Sequence, residues 1–173
     1  MSHAGTALHI VPLTSADIEA VARLARIVWQ DAYPGIITQA QIDYMLAQRY
    51  AAARLHEELA TPGLWWDQAR LDGRLAGFAA TQLTDMPGEM KLDKLYVDPA
   101  LQRAGVGGAL IAHVAARART EGCDLLILAV NKRNVRAIGA YRKHGFAVRE
   151  SVRVDIGGGF AMDDFIMVKS LNS

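Results

Sequence analysis

The chain has 173 residues, 51% of them hydrophobic and 21% charged, a balance that suits one folded domain with a continuous core and excludes a disordered or fibrous chain. With 19 Lys and Arg against 18 Asp and Glu the formal net charge is +1, without the basic excess that a protein built to neutralise nucleic-acid phosphates carries. No apolar run approaches the roughly 20 residues of a membrane helix, the opening Met1-Ser-His-Ala-Gly-Thr has neither the basic nor the apolar region of an export signal, and the single Cys123 allows no intrachain disulfide and no cysteine metal cage; a cytoplasmic protein with neither membrane nor nucleic-acid partner is expected.

No repeat, low-complexity stretch or Pro/Ser-rich linker divides the chain, so residues 1–173 are read as one domain. Leu8 to Pro12 reads as a first strand. Thr14 or Ser15 caps a helix from about Asp17 to Asp31, in which Ile18, Val21, Leu24, Ala25 and Val28 recur at helical spacing. Pro34-Gly35 breaks it. Thr38 then caps a second helical stretch with Ile42, Met45 and Leu46 inward, and a third runs from about Ala51 to Ala60, before Pro62-Gly63.

The period then changes. Leu64–Leu71 and Leu75–Leu83 read as strands joined by a tight hairpin at Asp72-Gly73, and Met90–Val97 as the next strand. Gly107 to Glu121 carries the apolar stripe Leu110, Ile111, Val114, Ala115 and Ala118 of a helix. Leu125–Val130 is wholly apolar and suits a central strand buried on both faces. Asn134–His144 is a helix closed by Gly145 in the left-handed position, and Phe146–Val154, the turn Gly157-Gly158-Gly159 and Ala161–Val168 form a closing hairpin. Helices, an antiparallel meander and then alternating strands and helices make an α/β fold with a single mixed, mostly antiparallel sheet.

The most informative segment is the one leaving the strand at Val97. Asp98-Pro99 turns the chain, and Gln102-Arg103-Ala104-Gly105-Val106-Gly107-Gly108 leads directly into a helix. Glycines at 105 and 107 let backbone N–H groups point outward, and the helix N-terminus adds about half a positive charge, so the turn is an anion cradle. A nucleotide-triphosphatase loop would end Gly-Lys-Ser/Thr, whereas this one ends Gly-Gly-Ala. A dinucleotide fingerprint would need a small residue where Leu110 stands. Lys132, Arg133, Arg136, Arg142 and Lys143, with Arg103 earlier, are either a solvated helix face or the rim of a site for a small polyanion.

Gln102-x-x-Gly105-x-Gly107, preceded by Leu95-Tyr96-Val97-Asp98-Pro99, resembles the acyl-CoA signature of the GCN5-related N-acetyltransferases. A second motif follows about 30 residues on: Asn134, Ala137, Tyr141, Gly145 and Phe146 match Asn-x-x-Ala-x-x-x-Tyr-x-x-x-Gly-Phe. The likeness covers about Leu64 to Leu171, with Trp29-x-x-x-Tyr33 similar to the usual start. It implies acetyl-CoA as cosubstrate, its pyrophosphate on the amides of Gln102 to Gly108, including Arg103, Ala104 and Val106, and its pantetheine along Leu95, Tyr96, Val97, Asn134 and Ala137. The strand is expected to splay at Leu95–Val97, so that pantetheine pairs like an added strand and one N–H holds the oxyanion of a tetrahedral intermediate.

Asn134 also sits where a helix cap belongs. Tyr141, two turns further on, faces the same side, and its phenol is the expected general acid for the departing thiolate. An ammonium of pKa near 10 must first lose a proton. Many relatives place a glutamate where this chain has Lys91, so Asp93, on the same strand face, is the expected base, acting through water, with Glu89 nearby.

No metal is expected, and none of the five histidines has ligand spacing; His113 and His144 read as helix-surface residues. The acceptor, a primary amine on a small molecule, a polyamine or a protein, is expected to meet the segment from Trp29 to Tyr50, the Trp65-Trp66 strand and the closing hairpin, where Asp163-Asp164 attracts cations. The hairpin resembles members near the polyamine acetyltransferases. Homodimers are common in the family. Two other readings stay open: a non-catalytic acyl-CoA-binding module, and a nucleic-acid-binding domain using residues 131–143.

Overall fold

A computed structural model describes residues 7–172; the opening segment read above for export features lies outside them. Seven strands form one sheet: β1 (Leu8–Pro12), β2 (Leu64–Leu71), β3 (Arg74–Leu83), β4 (Glu89–Val97), β5 (Leu125–Asn131), β6 (Ala147–Gly157) and β7 (Phe160–Ser170), in the spatial order β1-β2-β3-β4-β5-β7-β6. All neighbours are antiparallel except β4 and β5. The mixed, mostly antiparallel sheet expected from the chain order is present. Its tightest hairpin turns at Asp72 and Gly73, with φ +52° and +79°, the positive angles that a two-residue turn matched to strand twist requires.

Helices cover both faces. On one lie α1 (Ile18–Ala32), α2 (Gln39–Arg49) and α3 (Ala52–Leu59), burying Val21, Trp29, Ile42 and Leu55 against Trp66, Phe78 and Ala80 of the sheet. On the other lie α4 (Val106–Thr120) and α5 (Val135–Lys143), where the predicted stripe Leu110, Ile111, Val114, Ala115 and Ala118 packs on Ala79, Met90, Leu126 and Leu128. The caps are those the sequence indicates: the Thr14 hydroxyl and amide both donate to Asp17, and the Gln41 N–H donates to Thr38 Oγ1 at 3.1 Å.

Three local expectations need correction. The closing hairpin is longer than predicted, β6 continuing through Asp155 and Ile156 to Gly157, because its pairing with β7 persists to Phe160. β5 is not covered along its whole length: Ala129 is exposed, since the strand leaves its neighbour there. His113 is more than a surface residue. It lies 3.4 Å from Asp67, which is 1% exposed, and Asp67 is paired through both oxygens with Arg117.

Two irregularities in the sheet position the site. β4 and β5 pair only over Glu89–Lys91 and Leu125–Ile127, and then diverge while β4 continues to Val97 and β5 to Asn131. The edge of β4 that would have met β5 is left without a strand partner beyond Lys91. In addition, Ala80 faces Lys94 and Thr81 faces Leu92, so Asp93 is the extra residue of a β-bulge.

Candidate active site

The divergence of β4 from β5 opens a cleft of about 890 Å³ that passes from the α4–α5 side of the sheet to the α1 side. Its lining takes in Leu95, Tyr96 and Val97 from β4, Gln102, Arg103 and Gly105 to Gly108 from the loop and α4, Leu128 to Val130 from β5, and Asn134, Ala137 and Tyr141 from α5. Of the residues assigned from sequence, only Ala104 does not line it.

At its outer end the loop is built to expose amides. Asp98 accepts from the Ala100 N–H at 2.9 Å and starts a short 3-10 turn, Pro99–Leu101. Gly105 then caps α4 with φ +80°, a conformation that an L side chain adopts only at a cost, and brings no side chain to take up the first helical N–H groups. None of the N–H groups of Gln102 to Gly108 has an acceptor among the described residues; the first α4 bond runs from Ala109 to Gly105. Arg103, Arg136 and Lys143 rim the same end, whereas Arg133, also in the lining, donates to the Gly35 and Ile36 carbonyls beyond α1 at 2.6 and 2.9 Å. Arg136 donates to the Gln102 side chain, joining the loop to α5. Lys132 is instead paired with Asp163 at 2.9 Å, and Arg142 is not part of the lining, so three of the six cations singled out in the sequence gather here.

Further in, Asn134 Oδ1 caps α5 by accepting from the Ala137 N–H at 3.2 Å. Tyr141 leans edge-on against Phe146, with ring centroids 5.6 Å apart. Burial pushes its phenol above the usual tyrosine range, so the proton stays on at neutral pH and is available for donation.

The α1 side has a different chemistry. Asp31, Tyr33, Asp93 and Tyr96 line it, and the Tyr33 and Tyr96 hydroxyls are hydrogen-bonded at 2.9 Å. The bulge puts Asp93 and Lys94 side by side, and Lys94 Nζ donates to Asp93 at 2.7 Å. Arg49 Nη2 stands 3.5 Å and Lys91 Nζ 3.7 Å from the same carboxylate. Burial alone would raise Asp93, but these cations, Lys94 and Arg49 foremost, bring it down to about 2. Lys94 is itself buried over the rings of Trp66 and Tyr50, 3.6 Å from Glu58.

The Asp93 carboxylate, expected from the sequence to be the base, is in the structure an ion-pair partner of Lys94, Arg49 and Lys91. Trp65 and Trp66 do not line the cleft. Trp66 is in the core, its indole N–H donating to Glu58, and Trp65 carries the Arg117 guanidinium over its ring. Arg49 and Lys94 went unnoticed in the sequence, because nothing local announces a bulge or the helix that meets it.

The family model for the Acetyltransferase (GNAT) family matches residues 22–146. The chain belongs to that family. It is an acetyl-CoA-dependent acyltransferase by that membership, and its fold is the GNAT fold. An uncharacterized N-acetyltransferase of Mycobacterium bovis is 30% identical over 155 residues, covering 90% of this chain and 98% of the relative. Among solved structures, the PaiA N-acetyltransferase of Thermoplasma acidophilum in complex with coenzyme A superposes with a TM-score of 0.81 at 24% identity, covering 95% and 99% of the two chains. An acetyltransferase of Salmonella typhimurium with its cofactor acetyl-CoA gives 0.65 at 21%, covering 96% and 95%. In this GNAT member, among the described residues, no helix is long and apolar enough to cross a membrane.

Proposed function

We propose that the chain moves an acetyl group from acetyl-CoA to a primary amine by direct attack, with no acyl-enzyme stage. The observation that carries this reading is the continuous cleft through the sheet, with amides unpaired among the described residues and three cations at one end and a protonated phenol inside it. When bound, acetyl-CoA supplies an acyl carbon activated as a thioester.

The residues present fit such a group. The N–H groups of Val106, Gly107 and Gly108, with Arg103 and Arg136, suit a diphosphate. The unpartnered edge of β4 at Leu95 to Val97 offers main-chain hydrogen bonds to an extended amide arm and an N–H to a developing oxyanion. Asn134 and Ala137 border that arm, and Tyr141 Oη holds the proton that a departing thiolate requires. An amine enters from the α1 side, where Asp31 and the hydrogen-bonded Tyr33 and Tyr96 hydroxyls line the cleft.

The test is release of free thiol from acetyl-CoA in the presence of primary amines: spermidine, a lysine ester and an alanyl peptide. Amine-dependent release that falls in Tyr141→Phe supports the reading. Binding of acetyl-CoA with no release for any amine would instead favour a non-catalytic acyl-CoA-binding module.

A further inference from the structure

An ammonium has to give up a proton before its nitrogen can attack, and Asp93 is held too acidic to receive it. Besides Asp31 at the cleft wall and Glu58, which is paired with Lys94, that side of the sheet carries Asp164 of β7. It is 7% exposed, and its Oδ1 is buried without a hydrogen-bond partner among the described residues. It shares a face of β7 with Met162, which packs in the cluster containing Tyr33 and Tyr96, both cleft residues.

In register Asp164 lies opposite Asn131, the residue after cleft-lining Val130. Asn131 and Asp163, its neighbours across and along the sheet, line a second cavity of about 500 Å³ that shares Ile36 and Arg133 with the main cleft. Asp164 lines neither cavity itself; it is buried behind residues of both, Val130 and Tyr33 of the main cleft and Asn131 and Asp163 of the second.

The charges facing it come from every element nearby: Asp163 on its own strand, Lys132 beyond β5, Lys91 on β4, Arg49 on α2, and Tyr33 at the end of α1. The three cations are already engaged. Lys91 and Arg49 stand within 4 Å of Asp93, and Lys132 is paired with Asp163. Among the described residues, Asp164 is left as a carboxylate without an ion-pair partner.

We propose that Asp164 is the proton acceptor for the incoming ammonium, directly or through one water, a proposal that rests on the acetyl-transfer reading above. One N–H proton passes to the Asp164 carboxylate and leaves the nitrogen lone pair free. That pair forms the C–N bond, and the C–S bond breaks with its electrons on sulfur, which takes the Tyr141 proton. The second proton lost by nitrogen restores Tyr141, and Asp164 returns its own to solvent. The sum is ammonium plus thioester giving amide, thiol and one proton. Burial and the neighbouring Asp163 push Asp164 up to about 6, a value suited to a base that is ionised yet receptive at neutral pH.

The experiment is the pH dependence of kcat/KM for Asp164→Asn and Asp164→Glu, with saturating acetyl-CoA and spermidine, a lysine ester or an alanyl peptide as acceptor. Wild type should lose rate below about pH 6 as Asp164 protonates. Asp164→Asn should lower kcat at pH 7 by about 10²–10⁴-fold, abolish that acid limb, recover as pH rises through the acceptor's own pKa, near 10 for an alkyl ammonium, and bind acetyl-CoA as wild type does. Asp164→Glu should restore part of the rate. The Asn variant removes an unpartnered buried charge, so its Tm at pH 8 should equal or exceed that of wild type.

Wild-type kcat and acid limb in Asp164→Asn, or a change confined to the KM of the amine, overturns the proposal and leaves acetyl transfer standing. No thiol release by wild type with any of the three acceptors overturns both.

Discussion

The two ends of the cleft recognise their partners by opposite means. At the α4–α5 end the donors are main-chain amides of consecutive residues, and the cations sit within two short segments, Arg103 in the loop and Arg136 and Lys143 on α5. At the α1 end the chemistry belongs to side chains that are distant in sequence: Tyr33, Arg49, Asp93, Lys94 and Asp164 come from the residue after α1, from α2 and from two strands. A site of peptide amides is fixed by local backbone geometry and tolerates almost any side chain that leaves that geometry alone. A site of paired charges depends on the whole fold, and each carboxylate's behaviour is set by which cations reach it. Asp93 and Asp164 make the point: burial raises both, but Lys94, Arg49 and Lys91 lie within 4 Å of Asp93 and outweigh it there, whereas Asp164 has the anionic Asp163 beside it and feels Lys91 and Arg49 only more weakly.

That contrast can be broken at defined positions. Tyr141→Phe should have the largest effect, lowering kcat by about 10²–10⁴-fold with little change in acetyl-CoA affinity, since the ring stays packed on Phe146 and only the proton is lost; full turnover in steady-state assays would contradict its role. Gly105→Ala should weaken CoA binding about tenfold and cost roughly 1–2 kcal/mol of stability, because φ is +80° at the loop's hinge into α4; calorimetry and chemical denaturation read the two effects.

Asp93→Asn should leave the acid limb of the rate profile where it is but cost about 1–3 kcal/mol, as Lys94 and Arg49 lose their counterion. The sign with pH follows from the depressed value of about 2. Asp93 stabilises the wild type above its unfolded pKa near 3.8 and loses that contribution as pH falls towards 2, so the stabilities of the two proteins should converge in acid. Arg136→Ala should be mildest, a few-fold loss of CoA affinity that shrinks as salt is raised, because the guanidinium is exposed at the rim.

The ease of reading the sequence followed the same division. The amide end was legible because glycine spacing, the turn at Asp98-Pro99 and the cap at Asn134 are local signals, and all the assigned lining residues except Ala104 meet in one cleft. Strand and helix positions were legible for the same reason, their periods being written in consecutive residues. The acceptor end was not. A β-bulge at Asp93 has no local signature and changes which side chains share a face, so alternation counted along β4 did not foresee Lys94 beside Asp93. Trp66 looked like a pocket wall but is drawn into the core by Glu58 and Lys94, charges that come from α3 and β4. The partnerless Oδ1 of Asp164 is visible only once β5, β7 and α2 are placed together.

The central claim is that bare amides at the start of α4 hold a diphosphate and thereby aim the thioester at Tyr141. Parallel calorimetric titrations with coenzyme A and with 4′-phosphopantetheine, which has the same thiol arm but no diphosphate, test it most directly. Coenzyme A should bind at least about tenfold more tightly, the worth of one or two charge-assisted hydrogen bonds. Equal affinity for the two, or no heat from either, would contradict it.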